Sequence, residues 1–506
     1  MGRQKMAYAC KFSMLLMLVA VASALTIESS TKDDLLQCES IVKNWAASSL
    51  IDGVQGDKLK LRDLLFFLHV PRTGGRTYFQ CFLRKLYTSD LECPRSYDKL
   101  RFDPSQPNCR LMATHDDYSI MSKLPKESTS VVTILRNPVD RVFSTYEFSV
   151  EVAARFLIHP NLTSATQITG RLRPKARGVS TLDIWPWKYL VPWMREDLFG
   201  RREARKLGKV MGIRKRSYSY DMEDIVIPLP AFVNDPLAHE IIHNGATFQV
   251  AGLTNNSCLA ESHKVRHCVR KHPVLGQHVL DVAKKRLDNM LYVGLTEEHK
   301  ESAAMFANVV GVQVLSLLEA LNSRTNQAVN NRTELTSSFP ESEHDSSNQL
   351  RDSIDGQKLR ETPSVKKIET ADENTTVVKL MEAYEACISS LRKSQASRRV
   401  SSLKRISPAN FSKEARLQVP ETLLQQILLL NSLDVELYKH AQNIFAQQRK
   451  HFMQKLDTVE IQESMPSNSS GHYAQKAFWL AVTTVFVVLI IVLFVTSRRR
   501  TSKLKV

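Results

Sequence analysis

The stretch "LLFFLHVPRTGGRTYFQCFL", Leu64 to Leu83, decides the fold. Leu64–Val70 is apolar apart from His69, the pattern of a strand covered on both faces. It breaks at Val70-Pro71 into Arg72-Thr73-Gly74-Gly75-Arg76-Thr77. Tyr78, Phe79, Phe82, Leu83 and Leu86 then share one helical face. After a strand, glycines let the backbone approach a ligand closely, and successive N–H groups can ring an oxyanion. The following helix turns its positive end to the same place, and Arg72 and Arg76 add full charges. No GxxxxGK[ST] pattern is present, so this is not a Walker A loop. A plain tight turn with solvated arginines is the blander reading. His69, inside the apolar run, reads as a satisfied core histidine.

Outward from this stretch, short apolar runs alternate with amphipathic segments. Leu111–His115, Ser130–Leu135 and Leu291–Leu295 are further candidate strands. Asn137 and Pro138 open a helix as cap and first turn, running to about Leu157. Thr296 is expected to cap another, with Glu297 and Glu298 in its first turn. Strands alternating with helices predict an α/β domain with a mainly parallel sheet flanked by helices. Arg136 stands at a strand end and Ser144 about two turns into the next helix, so both can reach one phosphate, Arg as a charged fork and Ser as a neutral donor. Taken alone, Arg136 could equally pair with a surface carboxylate.

The main domain is expected over 61–320, after a polar lead-in at 25–60. Residues 321–376 are rich in Ser, Asn, Thr, Glu and Asp, too poor in apolar surface to offset ordering, and read as a disordered insertion. Helical patterning returns over 377–455, with Leu433, Leu437, Ala441, Ile444 and Phe445 on one face. The insertion therefore interrupts one domain. A stalk follows at 456–476.

The formal charge is +17 over 506 residues, partly concentrated at the two ends. Such an excess favours anionic partners. The first 24 residues read as a secretory signal, cleaved after Ala24. Ala477–Val495 is uncharged and about 28 Å long as a helix, enough for a bilayer, and Arg498-Arg499-Arg500 follows. A transmembrane helix at 477–497 and a cytosolic tail at 498–506 make a type I protein with a luminal body. Six sequons, at Asn161, Asn255, Asn331, Asn374, Asn410 and Asn468, agree with that topology. A luminal body makes nucleic acid an improbable partner. Of eight cysteines, Cys10 leaves with the signal; Cys93 with Cys109 and Cys258 with Cys268 are the expected short-loop pairs. No cysteine or histidine spacing suggests structural zinc. Trp185, Trp187, Trp193 and Tyr189 read first as core, with an acceptor cleft as the alternative. The basic runs Arg171–Arg177 and Arg201–Arg216 read as solvated faces, or as a guide for acidic peptide.

Taken together, the Arg72–Thr77 loop and the Arg136/Ser144 pair resemble the 5′-phosphosulfate loop and 3′-phosphate motif of sulfotransferases. "THDDYS" (Thr114–Ser119) is similar to the segment of heparan sulfate 6-O-sulfotransferases that carries their histidine base. "STLDIWPWKYLVPWMREDLF" (Ser180–Phe199), "IIHNGATFQVAGLTNN" (Ile241–Asn256) and the C-terminal span extend the likeness to plant tyrosylprotein sulfotransferases over nearly the whole chain. The resemblance implies a P-loop-like sulfotransferase fold using 3′-phosphoadenosine 5′-phosphosulfate (PAPS) and no catalytic metal. It implies that Arg72, Thr73, Gly74, Gly75, Arg76 and Thr77 hold the phosphosulfate, that Arg136 and Ser144 hold the 3′-phosphate, and that His115 is the base. Arg72 stands where most sulfotransferases have Lys; Arg cannot donate a proton and would stabilise charge. Asp116 or Asp117 could orient the His115 ring. The expected acceptors are tyrosines of acidic secreted peptide precursors, reached in the Golgi by a membrane-anchored enzyme. A glycan sulfotransferase of the heparan 6-O type is the first alternative, and a non-catalytic type I receptor the second.

Overall fold

A computed structural model describes residues 33–51, 59–88, 90–93, 109–158, 189, 220–221, 228–320, 373–403, 406–407 and 413–464. The chain divides into two units, residues 1–446 and 447–506. The sheet lies in the first; the described part of the second, 447–464, is helical.

The apolar run forms β1 (Leu64–Leu68), buried at every position. β2 (Leu111–Thr114) and β3 (Thr129–Leu135) pair on either side of it, and β5 (Tyr292–Leu295) lies beyond β3. All three pairings are parallel, in the order β2-β1-β3-β5. Leu68 pairs with Thr114 on one side and Thr133 on the other, so the connections after β1, β2 and β3 leave from one edge. The chain steps from β1 to β2 and then crosses back to β3. Such a reversal of winding opens a crevice at the carboxyl ends of the strands. A separate two-residue pairing joins β4 (Tyr220–Asp221) to β6 (Ile406–Ser407).

Helix α1 (33–51) buries Cys38, Val42 and Trp45. Helix α2 starts at Gly75–Tyr78 and continues through a π turn, Phe79–Leu83, to Arg84–Leu86. Helix α3 (Pro138–Ile158) begins as its sequence predicts: Asn137 Oδ1 accepts from the N–H groups of Val139 and Asp140, at 3.0 and 3.3 Å. Between β4 and β5 come α4 (Leu229–Val233), α5 (His239–Ile242), α6 (Gly245–Val250), α7 (Ser262–Lys271) and α8 (Gly276–Asp288). Helix α9 (His299–Phe306) continues through a π turn, Ala307–Gly311, to residue 320. Over 299–320 it is apolar enough to cross a membrane, but Ala303, Met305, Phe306 and Val310 are buried in the core.

The next described element is α10 (Glu373–Leu403), whose first four residues fall within the expected insertion. It packs on α2: the Tyr384 ring stacks on Phe82 at 4.1 Å, and Cys387 is bridged to Cys81. After α11 (Lys413–Leu417) and α12 (Glu421–Leu430), α13 (Ser432–Ser464) buries Leu437, Ala441 and Phe445, three of the five expected face residues. Its first turn docks through polar groups. Asp434 is fully buried, pairs with Arg141 at 2.7 Å and accepts from Thr247 N and Oγ1, both at 2.7 Å. Asn244 Oδ1 accepts from the N–H groups of Leu433 and Asp434. Breaking a buried pair such as Arg141–Asp434 typically costs about 3–5 kcal/mol.

Three expectations need correction. Cys258 does not pair with Cys268. Cys268 sits on the buried face of α7 and is bridged to Cys38 of α1, while Cys258 is free; the expected Cys93–Cys109 bridge is present. Thr296 caps no helix, because α9 starts three residues later. Its hydroxyl instead lies within hydrogen-bond distance of the carbonyls of Thr73 (2.7 Å) and Leu135 (2.9 Å). His69 is not inside a strand, because β1 ends at Leu68. The expected signal, most of the insertion (321–372), the transmembrane segment, the three tryptophans and both basic runs lie outside the described residues.

Candidate active site

The turn after β1 is under backbone constraint. Arg72 has φ +69°, a left-handed conformation that a side chain such as Arg rarely adopts. Strain of this kind costs on the order of 1–3 kcal/mol and collects at functional sites. Gly74, at φ +80°, suits the same region without cost. Thr73 closes the turn, its hydroxyl donating to Val70 O at 2.9 Å. Thr77 N donates back to Gly74 O at 2.9 Å as α2 begins. Thr296 ties the Thr73 carbonyl to the end of β3.

The left-handed turn aims Arg72 at α3. Its Nη2 and Nε lie 3.0 and 3.3 Å from Ser144 Oγ, and its guanidinium lies 4.3 Å from the centre of the Phe148 ring. Burial, helped by the neighbouring charge of Arg136, lowers its pKa to about 10. Arg136 leaves the end of β3 and donates from Nη1 to Arg72 O at 3.3 Å. Its Nε is buried without a partner among the described residues. The three residues expected at the two ends of a donor, Arg72, Arg136 and Ser144, are therefore gathered in one place. Arg72 and Ser144 touch rather than stand apart. One turn further along α3, Glu147 accepts from Arg416 at 2.7 Å and from Arg399 at 3.3 Å, and Arg416 also meets Asp140 at 3.2 Å.

On the other side of β1, the end of β2 delivers His115. Its Nδ1 lies 2.8 Å from His69 O; a carbonyl only accepts, so the proton sits on Nδ1 and the Nε2 lone pair is the basic one. Burial is the main force lowering the His115 pKa to about 4, with the Arg72 charge adding to it. The ring stacks on His69, centroids 4.1 Å apart. Asp116 binds the Thr114 hydroxyl at 2.7 Å and the Asn256 amide. Asp117 caps the turn beginning at Tyr118 through Ser119 N and accepts from Thr254 N and Oγ1, at 2.9 and 2.6 Å. Support for the histidine backbone comes from Gln249 of α6, 1% exposed, which donates to His115 O at 2.9 Å and reaches His69 O at 3.3 Å.

His69, Gln249 and Thr296 are the site residues that sequence reasoning missed. The available signals were weak: a polar ring beside Val70-Pro71, and one amide within the apolar run Phe248–Ala251. One trio of potential metal ligands, Asp34, Cys38 and His272, is clustered among the described residues, but its sulfur is already in the Cys38–Cys268 bridge.

The arrangement offers a strained glycine turn and two arginines for an anion, beside a neutral imidazole with a defined basic nitrogen. No family model matches the chain. It is 54% identical over 491 residues to a protein of Arabidopsis thaliana described as protein-tyrosine sulfotransferase; the match covers 95% of this chain and 96% of that one.

Proposed function

The chain belongs to the protein-tyrosine sulfotransferases, enzymes that place sulfuryl groups on tyrosine, and from that premise we propose how its residues divide the work. The observation that carries the reading is the convergence at one sheet edge of the Arg72 turn, Arg136 and His115, from three adjacent strands. The unpartnered Arg136 Nε and the glycine turn fit a ligand with anionic groups at both ends, as PAPS has. PAPS, when bound, supplies an activated sulfuryl group on a phosphate leaving group.

The loop from Arg72 to Thr77 holds the phosphosulfate, and Arg136 with Ser144 holds the 3′-phosphate. Arg72 exchanges its Ser144 contact for donor oxygens and stabilises the charge that develops on the leaving oxygen. Its permanent charge suits it to that role and excludes proton donation. His115 takes the phenolic proton on Nε2 as the tyrosine oxygen attacks sulfur in line. A phenol near pKa 10 needs that help at neutral pH. A histidine lowered to about 4 is in its basic form at neutral pH but binds protons weakly. Anionic donor charge beside it raises its proton affinity, so the base gains strength once the donor is seated.

We further propose a type I Golgi membrane enzyme with its catalytic body in the lumen, acting on acidic secreted precursors without a metal. Three disulfides support an oxidising compartment. The excess of basic residues suits acidic acceptors. The test offers full-length protein, purified in detergent, labelled PAPS with a tyrosine peptide or a heparan glycan, with and without chelator. Labelled tyrosine, unaffected by chelator, is expected; label in the glycan alone would overturn the acceptor assignment.

A further inference from the structure

His69 follows β1 directly and touches both halves of the site. Its ring is stacked on His115 at 4.1 Å, with planes 29° apart. The same ring leans on the second glycine of the turn. A Cβ added to Gly75 would lie 2.4 Å from His69 Cδ2 and 2.7 Å from Nε2, closer than any real side chain could. The absent Gly75 side chain is therefore what admits the imidazole. Its backbone carbonyl faces His115 Nδ1 at 2.8 Å, and Gln249 steadies that carbonyl from behind. A ring that merely filled the core would not have to contact the base and the anion turn together.

We propose that His69 is a positioning residue for sulfuryl transfer: its ring, wedged between His115 and Gly75, sets the gap between base and donor loop, and its carbonyl holds the base in one tautomer. In-line transfer needs the phenolic oxygen within reach of sulfur and of the base at once, and a misplacement of about 1 Å can cost 10²-fold in rate. A stacked ring is a spacer of fixed thickness that cannot be squeezed. The inference rests on the reading of His115 as the base.

The test measures kcat, KM for PAPS and peptide, and affinity for adenosine 3′,5′-bisphosphate, in full-length His69→Ala, His69→Phe, Gly75→Ala, the His69→Ala/Gly75→Ala double variant and His115→Ala. His69→Ala is expected to lower kcat by about 10–100-fold while bisphosphate affinity stays within about threefold. His69→Phe, which keeps a flat ring, is expected to recover kcat to within about fivefold of the wild type. Gly75→Ala drives a methyl into the ring, so its loss should shrink when His69 is already Ala, a non-additive cycle of residues in contact. The proposal is overturned if His69→Ala keeps wild-type kcat while His115→Ala is inactive. It is equally overturned if Ala and Phe at 69 are alike, or if kcat, affinity and melting temperature fall together. Near-wild-type turnover in His115→Ala would overturn the base assignment and this inference with it.

Discussion

On the β3 side of β1 the site holds Arg72, Arg136, Arg399 and Arg416 around Glu147 and Asp140, with Arg72 strained and one Arg136 nitrogen unpartnered. On the β2 side, Asp117 receives both polar groups of Thr254 and those of Ser119, and Gln249 serves the carbonyls of two histidines. The first region carries charge that a ligand would complete. The second has its hydrogen bonds closed within the protein. Under the proposed roles a base must be held still, whereas a donor grip must exchange partners, and the two halves differ in that sense.

Changes in the closed half should cost chemistry rather than binding. His115→Ala is expected to lower kcat by about 10³-fold, within the usual range for a lost general base, with little change in donor KM. Steady-state kinetics checks this; a rise in donor KM alone would blur the distinction between the halves. Arg72→Ala should lower kcat by about 10²–10³-fold, the loss typical of one removed oxyanion-type donor. Because Arg72 lies in the open half, donor KM should rise too. Arg136→Ala belongs to the open half. It should weaken donor affinity by about 10–100-fold, as loss of charged hydrogen bonds does, while kcat at saturation stays near wild type. Calorimetric titration of the bisphosphate reads it directly, and an unchanged affinity would remove Arg136 from the grip.

The smallest effect concerns acidity. Burial lowers both His115 and His243 to about 4, well below their unfolded value. Between about pH 6.5 and 4 the unfolded chain takes up protons that the native state refuses, so stability is level above this window and falls as pH drops through it. Thermal melts from pH 7 to pH 5 should show a falling midpoint; a flat profile would mean these rings are solvated.

Much of this plan could be read from the chain, for definite reasons. A short apolar run closed by Pro and Gly suits a strand covered on both faces, and Leu64–Leu68 is an inner strand of the sheet. Asn137-Pro138 carries its cap in adjacent residues, and α3 starts there. What escaped depends on tertiary contacts between distant segments. Cys38 meets Cys268 only because α1 docks on α7, a separation of 230 residues that no short-loop argument anticipates. Thr296 has the composition of a cap, but the loop between β5 and α9 turns it toward Thr73. His69 looked like core because one residue decides whether it lies in β1 or just past its end, where its ring stacks on His115.

The proposed mechanism depends on Arg72 and Arg136 holding one donor between them, beside His115. A crystal structure with adenosine 3′,5′-bisphosphate bound tests it most directly. The expected result is the 3′-phosphate on Arg136 and Ser144, the 5′-phosphate in the Arg72–Thr77 turn, and the His115 ring facing that end. Nucleotide bound away from the β1–β3 edge, or contacting one arginine while the other keeps its partners of the free protein, would contradict it.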